Sequence, residues 1–370
     1  MTTASAPALS VEVCTDEETF AGLAGEWERL YRACPSATTF QSHAWLHSWW
    51  LSYGKPGRLR LVLVRAHGDL VAVAPLMRLP GPLPVLAPIG GAVTDFCDVL
   101  LDETAAEQGA AALADALTGL ARTALIDFRE VRPGSAVERV YAAWHGPRRL
   151  LSDSVCLQIP ALPMEQLTKR LPRRRAQLVR NKQNKLRKLG VEWRTVGHLE
   201  AGTALRRMLE LHRLQWKGRR VTGEHLRPRF HDHLFRSVVA LARSGEAVVR
   251  EYRLQDEVVA VDLNFRAGEL VGLYLYGIHP GLLERKADAA TMMISAAVDD
   301  LVPDGVAVLS FLRGMEPYKY RWVPETVVNQ RFLLARRRTA PLLAAAVCGA
   351  AARDCAKRLL GRTAAPAESA

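Results

Sequence analysis

The spacing of apolar residues in the first half of the chain predicts a mixed α/β unit of roughly 150 residues. Residues 16–34 carry apolar side chains at helical spacing, and the tryptophans Trp45, Trp49 and Trp50 that follow are expected to pack inward. Two apolar runs then flank His67-Gly68-Asp69, which predicts a hairpin turn. The other elements predicted in this half are a strand in GGAVTDFCDVLLD, helices over 103–122 and 136–144, and a strand over 124–129.

The second half repeats this order of elements, which suggests a duplicated domain. Its boundary is expected near residues 150–163, where Pro160 and Pro163 lie. The predicted elements are a basic helix over 164–189, the strand VEWRTVG, helices over 200–217 and 228–244, hairpin strands turning at Gln255-Asp256 and Ala267-Gly268, a helix over 285–301 and the strand GVAVLSFLRG. The predicted division is an N-terminal domain over 1–155, a C-terminal domain over 156–338, and a basic helix and tail over 339–370.

Composition is that of a globular chain, and motifs exclude several enzyme classes. Hydrophobic residues make up 49% of the 370 residues and charged residues 24%. The six cysteines are scattered, with no CxxC pair and no neighbouring histidines, so we expect reduced thiols, no metal site and a cytoplasmic protein. No GxGxxG, Walker loop, GxSxG or HExxH is present, which leaves kinase, serine hydrolase and zinc protease functions unsupported.

Positive charge is concentrated in two segments of the chain. The net charge is +12, and residues 165–190 hold ten Lys or Arg against one acid, while residues 331–370 hold eight against two. Such segments predict a polyanionic partner: a phosphorylated cofactor, nucleic acid or an anionic membrane face. A solvated basic face remains the alternative for the helix. The uncharged run of the tail is about 14 residues, short of a bilayer span, so the tail is expected to dock on the domain or to contact a membrane peripherally.

A polar face on the strand VVAVDLNFRAG is the first candidate site. Asp262 and Asn264 alternate with apolar residues and therefore share one face. A carboxylate in an apolar strand either pairs or changes its pKa. The alternatives for Asp262 are a bond to Arg266 or to a backbone turn, and a role in binding substrate. Tyr274 and Tyr276 share a face of the next strand.

The second candidate is the stretch SFLRGMEPYKYRW. Arg313-Gly314 ends a strand, and Pro317 prevents a helix from following. The side chains of Glu316, Tyr318, Lys319 and Arg321 would then line that edge, since α/β proteins place sites at such strand ends. An ion-paired surface turn is the alternative.

The order TFQSHAWLHSWWLSYG, TDFCDVLL, RRRAQLVRNKQNKLRKLG and SFLRGMEPYKYRW resembles GNAT-like acetyltransferases of cellulose and exopolysaccharide biosynthesis, from about residue 11 to residue 337. The most specific element is Arg313-Gly314-x-Glu316-Pro317-Tyr318-Lys319-x-Arg321-Trp322. The chain departs from that family at Ser310 and Met315, where acids are usual, and at residues 283–288, where a serine-proline-glycine turn is typical. The phosphate loop common in GNAT proteins is not recognisable.

The resemblance implies two tandem GNAT folds of mixed α/β class and an N-acyltransferase that moves an acyl group from acyl-CoA to an amine of a small molecule or sugar. The second half would be catalytic, with donor phosphates at the N-terminus of the helix starting near Arg285. Glu316 or Asp262 is the candidate base and Tyr276 or Tyr318 the proton donor. Cofactor contacts are expected from Arg285, Lys286, Arg313, Lys319 and Arg321, and substrate contacts from Asn264, Tyr274 and Trp322.

Two other functions stay open on the same residues. A distant likeness to Fem-type transferases implies an aminoacyl-tRNA donor, which the positive segment over 165–190 would bind. A non-catalytic GNAT-like scaffold near a membrane is the third hypothesis, because the phosphate loop is missing and the tail is basic.

Overall fold

In the computed structural model, which describes residues 9–215 and 223–363, thirteen strands form one continuous mixed sheet. The first half contributes β1 (Leu9–Cys14), α1 (Glu17–Gly22), α2 (Ala24–Ala33), α3 (His43–Tyr53), β2 (Leu59–Ala66), β3 (Asp69–Arg78), β4 (Val85–Pro88), β5 (Leu100–Leu101), α4 (Ala106–Leu120), β6 (Leu125–Val131), α5 (Val137–Ala142) and β7 (Arg148–Pro160). The second half contributes α6 (Met164–Lys169), α7 (Arg173–Leu189), β8 (Val191–Thr195), α8 (Ala201–Gln215), α9 (Pro228–Arg243), β9 (Ala247–Leu254), β10 (Glu257–Ala267), β11 (Leu270–Ile278), α10 (Pro280–Glu284), α11 (Ala289–Leu301), β12 (Val308–Arg313), β13 (Glu325–Leu334) and α12 (Ala340–Thr363).

The strand order repeats itself about the centre of the sheet. The order is β1-β2-β3-β4-β6-β13-β7-β12-β11-β10-β9-β8, with β5 beside β3. On one side four antiparallel strands end in the parallel pair β4 and β6, which α4 connects; on the other, β8 to β11 end in the parallel pair β11 and β12, which α11 connects. The antiparallel strands β7 and β13 join the two halves. This is the duplication that the order of elements suggested.

Helix α9 shows how the sequence builds these elements. Pro228 lies in its first turn, where the missing N–H costs nothing, and Phe230, Leu234, Val238 and Leu241 follow at spacings of four and three. These four side chains are buried, so the helix packs along a single apolar stripe. The same core spans both halves, because Trp45 of α3 contacts Phe265 of β10 with ring centroids 5.1 Å apart.

Several predicted elements are confirmed. His67 and Gly68 form the two-residue turn between β2 and β3, with φ of 52° and 94°. The tryptophans at 45, 49 and 50 are buried in the core. All six cysteines are free thiols.

Other predicted elements are wrong. Most of GGAVTDFCDVLLD is a 3₁₀ turn and an irregular segment, with strand only at Leu100–Leu101. The predicted basic helix is divided into α6 and α7, because Pro172 cannot continue α6. The helix predicted from Arg285 begins at Ala289, after the separate short helix α10. Residues 216–217 of another predicted helix lie outside the described residues.

The stretch expected to hold the domain boundary is the long strand β7, which pairs with β12 and β13. The division at 155 and 156 stays a prediction. Helix α12 docks through Leu343, which packs with Leu125, Leu333 and Ala335. Within the described residues, no helix has both the length and the apolar character needed to cross a membrane.

Candidate active site

The strands β11 and β12 separate after three paired residues. Parallel pairing joins Leu270 to Val308, Val271 to Leu309 and Gly272 to Ser310. Beyond that point β11 continues to residue 278 and β12 to residue 313 with no further pairing between them. We call the space between these two strand ends the β11–β12 gap.

Bulges in both strands produce this divergence. On β11, Leu273 and Leu275 oppose consecutive residues of β10, so Tyr274 is an extra residue. On β12, Phe311 and Leu312 stand opposite one residue of β7, and Leu312 has a φ of 55°, which is unfavourable for a branched side chain. A bulge bends its strand and breaks its pairing, and two bulges at one level turn the strand ends apart.

Helix α8 packs against the end of β11 and bonds two of its backbone groups. The Nδ1 atom of His212 lies 2.8 Å from the carbonyl of Tyr276, and the side chain of Gln215 accepts the N–H of Ile278 at 3.2 Å. A carbonyl only accepts, so Nδ1 of His212 carries the proton. A Cβ on Gly277 would lie 2.2 Å from the carbonyl oxygen of Met208, so only glycine lets α8 approach this closely.

The chain after β12 places a carboxylate at the mouth of the gap. Glu316 is about half exposed, and its carboxylate lies 2.7 Å from the Nζ of Lys319. Lys319 is buried and donates to the carbonyls of Phe311 and Arg313 at 2.9 Å each, and to that of Gly314 at 3.3 Å. Lys319 therefore fixes the loop that carries Glu316. We assign it no phosphate contact, because its ammonium group is already bonded.

Two tyrosines lie within electrostatic reach of Glu316. Burial raises the pKa of Tyr318, and the neighbouring Tyr276 and Glu316 raise it further. Burial also raises the pKa of Tyr276, with a contribution from Glu316. Both phenols therefore hold their protons at neutral pH. The structure thus brings together three of the four predicted catalytic residues.

Asp262, the fourth, lies directly opposite Tyr276 in the pairing of β10 with β11, but its carboxylate is bonded to other residues. Its carboxylate lies 3.3 Å from a guanidinium nitrogen of Arg250 and accepts the hydroxyl of Tyr252 at 3.1 Å. Burial raises the pKa of Asp262, while Arg250 opposes that shift. The bond to Arg266, one of the alternatives that the sequence left open for Asp262, is not formed, because Arg266 pairs with Asp304.

The three predicted substrate contacts are largely enclosed by protein. Asn264 and Trp322 are buried, at 1% and 2% exposure. The hydroxyl of Tyr274 donates to the carbonyl of Val93 in the first half, at 2.8 Å. Their predicted substrate role stays a prediction, and contact would require the surrounding side chains to move.

Arg313 bridges the two halves. Its Nε lies 2.9 Å from the carboxylate of Asp95, Nη1 lies 3.2 Å from that of Glu130, and Nη2 donates to the carbonyl of Ala92 at 2.7 Å. Burial opposes its charge, but the two carboxylates hold its pKa above the usual value. Because its guanidinium binds carboxylates of the first half, Arg313 joins the two halves. This structural role accounts for an arginine at the end of β12.

The N-terminus of α11 differs from the phosphate site expected there. Asp288 caps the helix, accepting the backbone N–H of Thr291 at 3.0 Å. Its carboxylate is also bound by Arg321 at 2.8 Å and by Lys182. Burial acts to raise the pKa of Asp288, yet the bonds from Lys182 and Thr291 and the charge of Arg321 lower it to about 2.

Of the predicted cofactor contacts, Arg285 and Lys286 remain exposed beside this cap. A carboxylate thus takes the place where a donor pyrophosphate was expected. At this helix terminus, phosphates would find only the outer cations Arg285 and Lys286.

The corresponding gap in the first half is filled by the chain itself. β4 and β6 pair only at Val85 with Leu125 and at Leu86 with Ile126. Glu130 of β6 has a φ of 54°, matching the strained bulge of β12. The N–H of Cys97 donates to the carbonyl of Glu130 at 2.9 Å, so the segment 90–98 crosses this space. The space between the parallel strands of the first half is therefore occupied by that half's own chain.

Two cavities open elsewhere on the described surface. One of about 640 Å³ lies beside α8 and is lined by Arg194, Arg207 and Glu251, among others. Another of about 420 Å³ lies between the halves beside Tyr31 and Glu246. Neither is lined by residues of the β11–β12 gap.

Comparisons with known proteins agree with this architecture. Residues 173–320 match a family model described as an acetyltransferase (GNAT) domain. That segment runs from α7 to the loop after β12 and includes the whole β11–β12 gap. No curated protein sequence matches the chain.

Solved structures resemble nearly the whole chain. FemX matches with a TM-score of 0.59 and 12% identity, covering 86% of this chain and 98% of its own. A conserved protein of unknown function from Bacteroides thetaiotaomicron VPI-5482 gives 0.58 and 11%, covering 88% and 100%. L-PGS from Bacillus licheniformis gives 0.54 and 12%, covering 89% and 95%. At these identities the likeness shows the fold alone. The predicted mixed α/β class with GNAT-like halves is confirmed.

Sequence reasoning missed His212, Gln215 and Gly277, which support the gap from α8. The available signal was Gly277 in the apolar strand LVGLYLYGI, since a glycine inside a strand often marks the close approach of another backbone. The role of Asp95 had no local signal, because its partner Arg313 is 218 residues away.

Proposed function

We propose that the protein is a GNAT-type acyltransferase whose acyl transfer takes place in the β11–β12 gap. One observation carries the proposal: the pairing of β11 and β12 ends at two bulges, and Glu316, Tyr318 and Tyr276 gather where the strands part. The match of residues 173–320 to a GNAT domain supports it.

The residues at the gap suit transfer of an acyl group to an amine. The Glu316 carboxylate accepts the proton that the attacking amine must lose. Backbone N–H groups along a strand edge polarise the donor carbonyl and stabilise the charge that develops on its oxygen. Tyr318 or Tyr276, both protonated at neutral pH, delivers a proton to the leaving group.

For the donor, we propose an acyl-CoA, with acetyl-CoA as the simplest. Its phosphates would contact Arg285 and Lys286, the exposed cations beside the cap of α11. Bound there, the thioester supplies an activated acyl group to the gap. Arg321 and Lys182 would hold Asp288 in place and would not contact phosphate directly.

The acceptor we propose is an amine on a small molecule or sugar, in polysaccharide or secondary-metabolite biosynthesis. The sequence resemblance to exopolysaccharide acetyltransferases supports this class. The half-exposed Glu316 requires an acceptor amine that can reach the protein surface.

The test measures acyl transfer from radiolabelled acetyl-CoA to a set of amino sugars and amino acids, with Glu316→Gln and with Glu269→Gln as the matched control. Glu269 is an exposed carboxylate in the turn before β11. We expect Glu316→Gln to lower turnover by roughly 10²–10⁴-fold, the contribution of a positioned base, and the control to retain full rate. Equal rates for both variants would remove Glu316 from the mechanism.

A second candidate donor is aminoacyl-tRNA. The Asp288 cap favours it, because an aminoacyl-tRNA has no pyrophosphate that would need a free helix N-terminus. The FemX-like fold is compatible with either donor. Supplying aminoacyl-tRNA in place of acetyl-CoA in the same assay decides between them. A non-catalytic scaffold would transfer from neither donor and would bind neither saturably.

A further inference from the structure

Helix α7 presents a cationic face that carboxylates of the described residues leave largely unpaired. It carries eight Lys or Arg and no acid in 17 residues. Across the described part of the chain, Lys182 is the one cation of this helix that contacts a carboxylate. The buried stripe is Ala176, Val179 and Leu186, and the opposite side has no buried residue.

At helical spacing, that opposite side consists of Arg174, Leu178, Lys185 and Lys188, which we call the outer face of α7. Leu178 is 44% exposed and lies four residues from Arg174 and seven from Lys185. Leu178 belongs to none of the hydrophobic clusters formed by the described residues.

Further apolar side chains lie beside the first turn of the same helix. Arg175 donates to the carbonyl of Tyr320 at 3.1 Å, and the N–H of Val323 approaches the same carbonyl at 3.3 Å. Tyr320 and Val323 are 38% and 43% exposed. Exposed apolar and aromatic groups therefore adjoin the cationic helix.

The combination of cations and exposed apolar groups favours one class of polyanion over the others. The helix is about 25 Å long at 1.5 Å per residue, more than the phosphates of one small ligand can cover. Nucleic acid phosphates would satisfy the cations but would leave Leu178 and Val323 in water. An anionic bilayer surface offers phosphates to the cations and acyl chains to the apolar groups at once.

We propose that the outer face of α7, with Tyr320 and Val323, docks the protein on an anionic lipid surface. This inference is independent of the proposed acyl transfer, because it concerns binding that a catalytically inactive protein would also show. Docking through α7 brings the loop that carries Glu316 close to the membrane, since Tyr320 belongs to that loop.

The experiment is co-sedimentation of the full chain with vesicles of phosphatidylcholine containing one quarter phosphatidylglycerol, and with phosphatidylcholine alone. We expect binding to the anionic vesicles only. Arg174→Gln, Lys185→Gln and Lys188→Gln combined should weaken it on the order of 100-fold, the summed contribution of three surface cations. Leu178→Ser should weaken it several-fold with no change in charge.

The matched control replaces three cations on the first half, Lys55, Arg78 and Arg122, with Gln. These side chains are exposed, and we expect the control to bind as the wild type does. Equal loss in the control and in the α7 variant, or no binding to anionic vesicles, overturns the proposal. A second pair of results also overturns it: Leu178→Ser binds the vesicles as the wild type does, and short double-stranded RNA displaces the protein from them. The outer face of α7 would then be a nucleic-acid binding surface.

Discussion

Replacing Gly277 with Ala tests the close packing of α8 on the end of β11. The new Cβ would lie 2.2 Å from the carbonyl oxygen of Met208, 2.5 Å from the backbone nitrogen of His212 and 2.8 Å from the Cβ of Leu211. Two of these atoms are backbone, so the helix itself must shift. Overpacking of this kind costs about 1–3 kcal/mol.

The same shift breaks the bonds from His212 to Tyr276 and from Ile278 to Gln215, each worth about 1 kcal/mol. Together these effects lower the free energy of unfolding by about 3–5 kcal/mol. The assay is urea denaturation followed by circular dichroism. As a control, Gly25→Ala in α2 meets nothing within 4 Å and should stabilise by about 0.5–1 kcal/mol. A Gly277→Ala protein as stable as the wild type would refute the close packing of α8 on β11.

Three further predictions follow from the site. Arg313→Met leaves Asp95 and Glu130 without their cation and should lower the free energy of unfolding by about 2–4 kcal/mol. This is less than for a fully buried pair, because the Arg313 side chain is 24% exposed. A loss under about 0.5 kcal/mol in urea denaturation would contradict this prediction. Because the pKa of Asp288 is lowered to about 2, its ionised carboxylate stabilises the fold above about pH 4, and about 2 kcal/mol of this stability is lost as the pH falls towards 2. Asp288→Asn should abolish this part of the pH dependence of the free energy of unfolding. An acid unfolding profile unchanged by the substitution would contradict the role of Asp288. Gly314 has a φ of 112°, and a Cβ added there would lie 2.6 Å from the Glu316 carboxylate. Gly314→Ala should therefore displace Glu316 and lower the rate of acyl transfer at least roughly tenfold, because a misplaced base loses part of its contribution. Turnover equal to that of the wild type would contradict the placement of Glu316.

The sequence predicted those elements whose signals are local. The turn at His67 and Gly68 lies between two apolar runs, and α9 combines an N-terminal proline with a regular apolar stripe, so neither needed knowledge of distant contacts. The predicted start of α11 at Arg285 is wrong, because Arg285 is the C-terminal cap of the separate helix α10 and the side chain of Asp288 caps α11.

Elements that depend on distant pairing could not be predicted. β13 pairs with β6 and β7. In its own sequence, ETVVNQRFLL, apolar and polar residues alternate too weakly to predict a central strand. The segment GGAVTDFCDVLLD has the composition of a strand but fills the first half's own gap, which no local pattern reveals.

The candidate site was predicted in part for the same reason. The motif placed Glu316 and Tyr318 at the end of β12, and Tyr276 joins them because β11 and β12 are neighbours. The engagement of Arg313 with Asp95 depends on a contact between the halves, so its charge could not be distinguished from that of a ligand-binding residue.

The most direct test of where acyl transfer takes place is hydrogen–deuterium exchange of the intact protein with and without a saturating donor, either acetyl-CoA or aminoacyl-tRNA. We expect slower exchange on donor binding at residues 273–278 and 311–318, which flank the β11–β12 gap. Exchange at residues 85–98 and 125–131 of the first half should stay unchanged. Protection confined to the first half, or protection at neither gap with either donor, would contradict the assignment of acyl transfer to the second half.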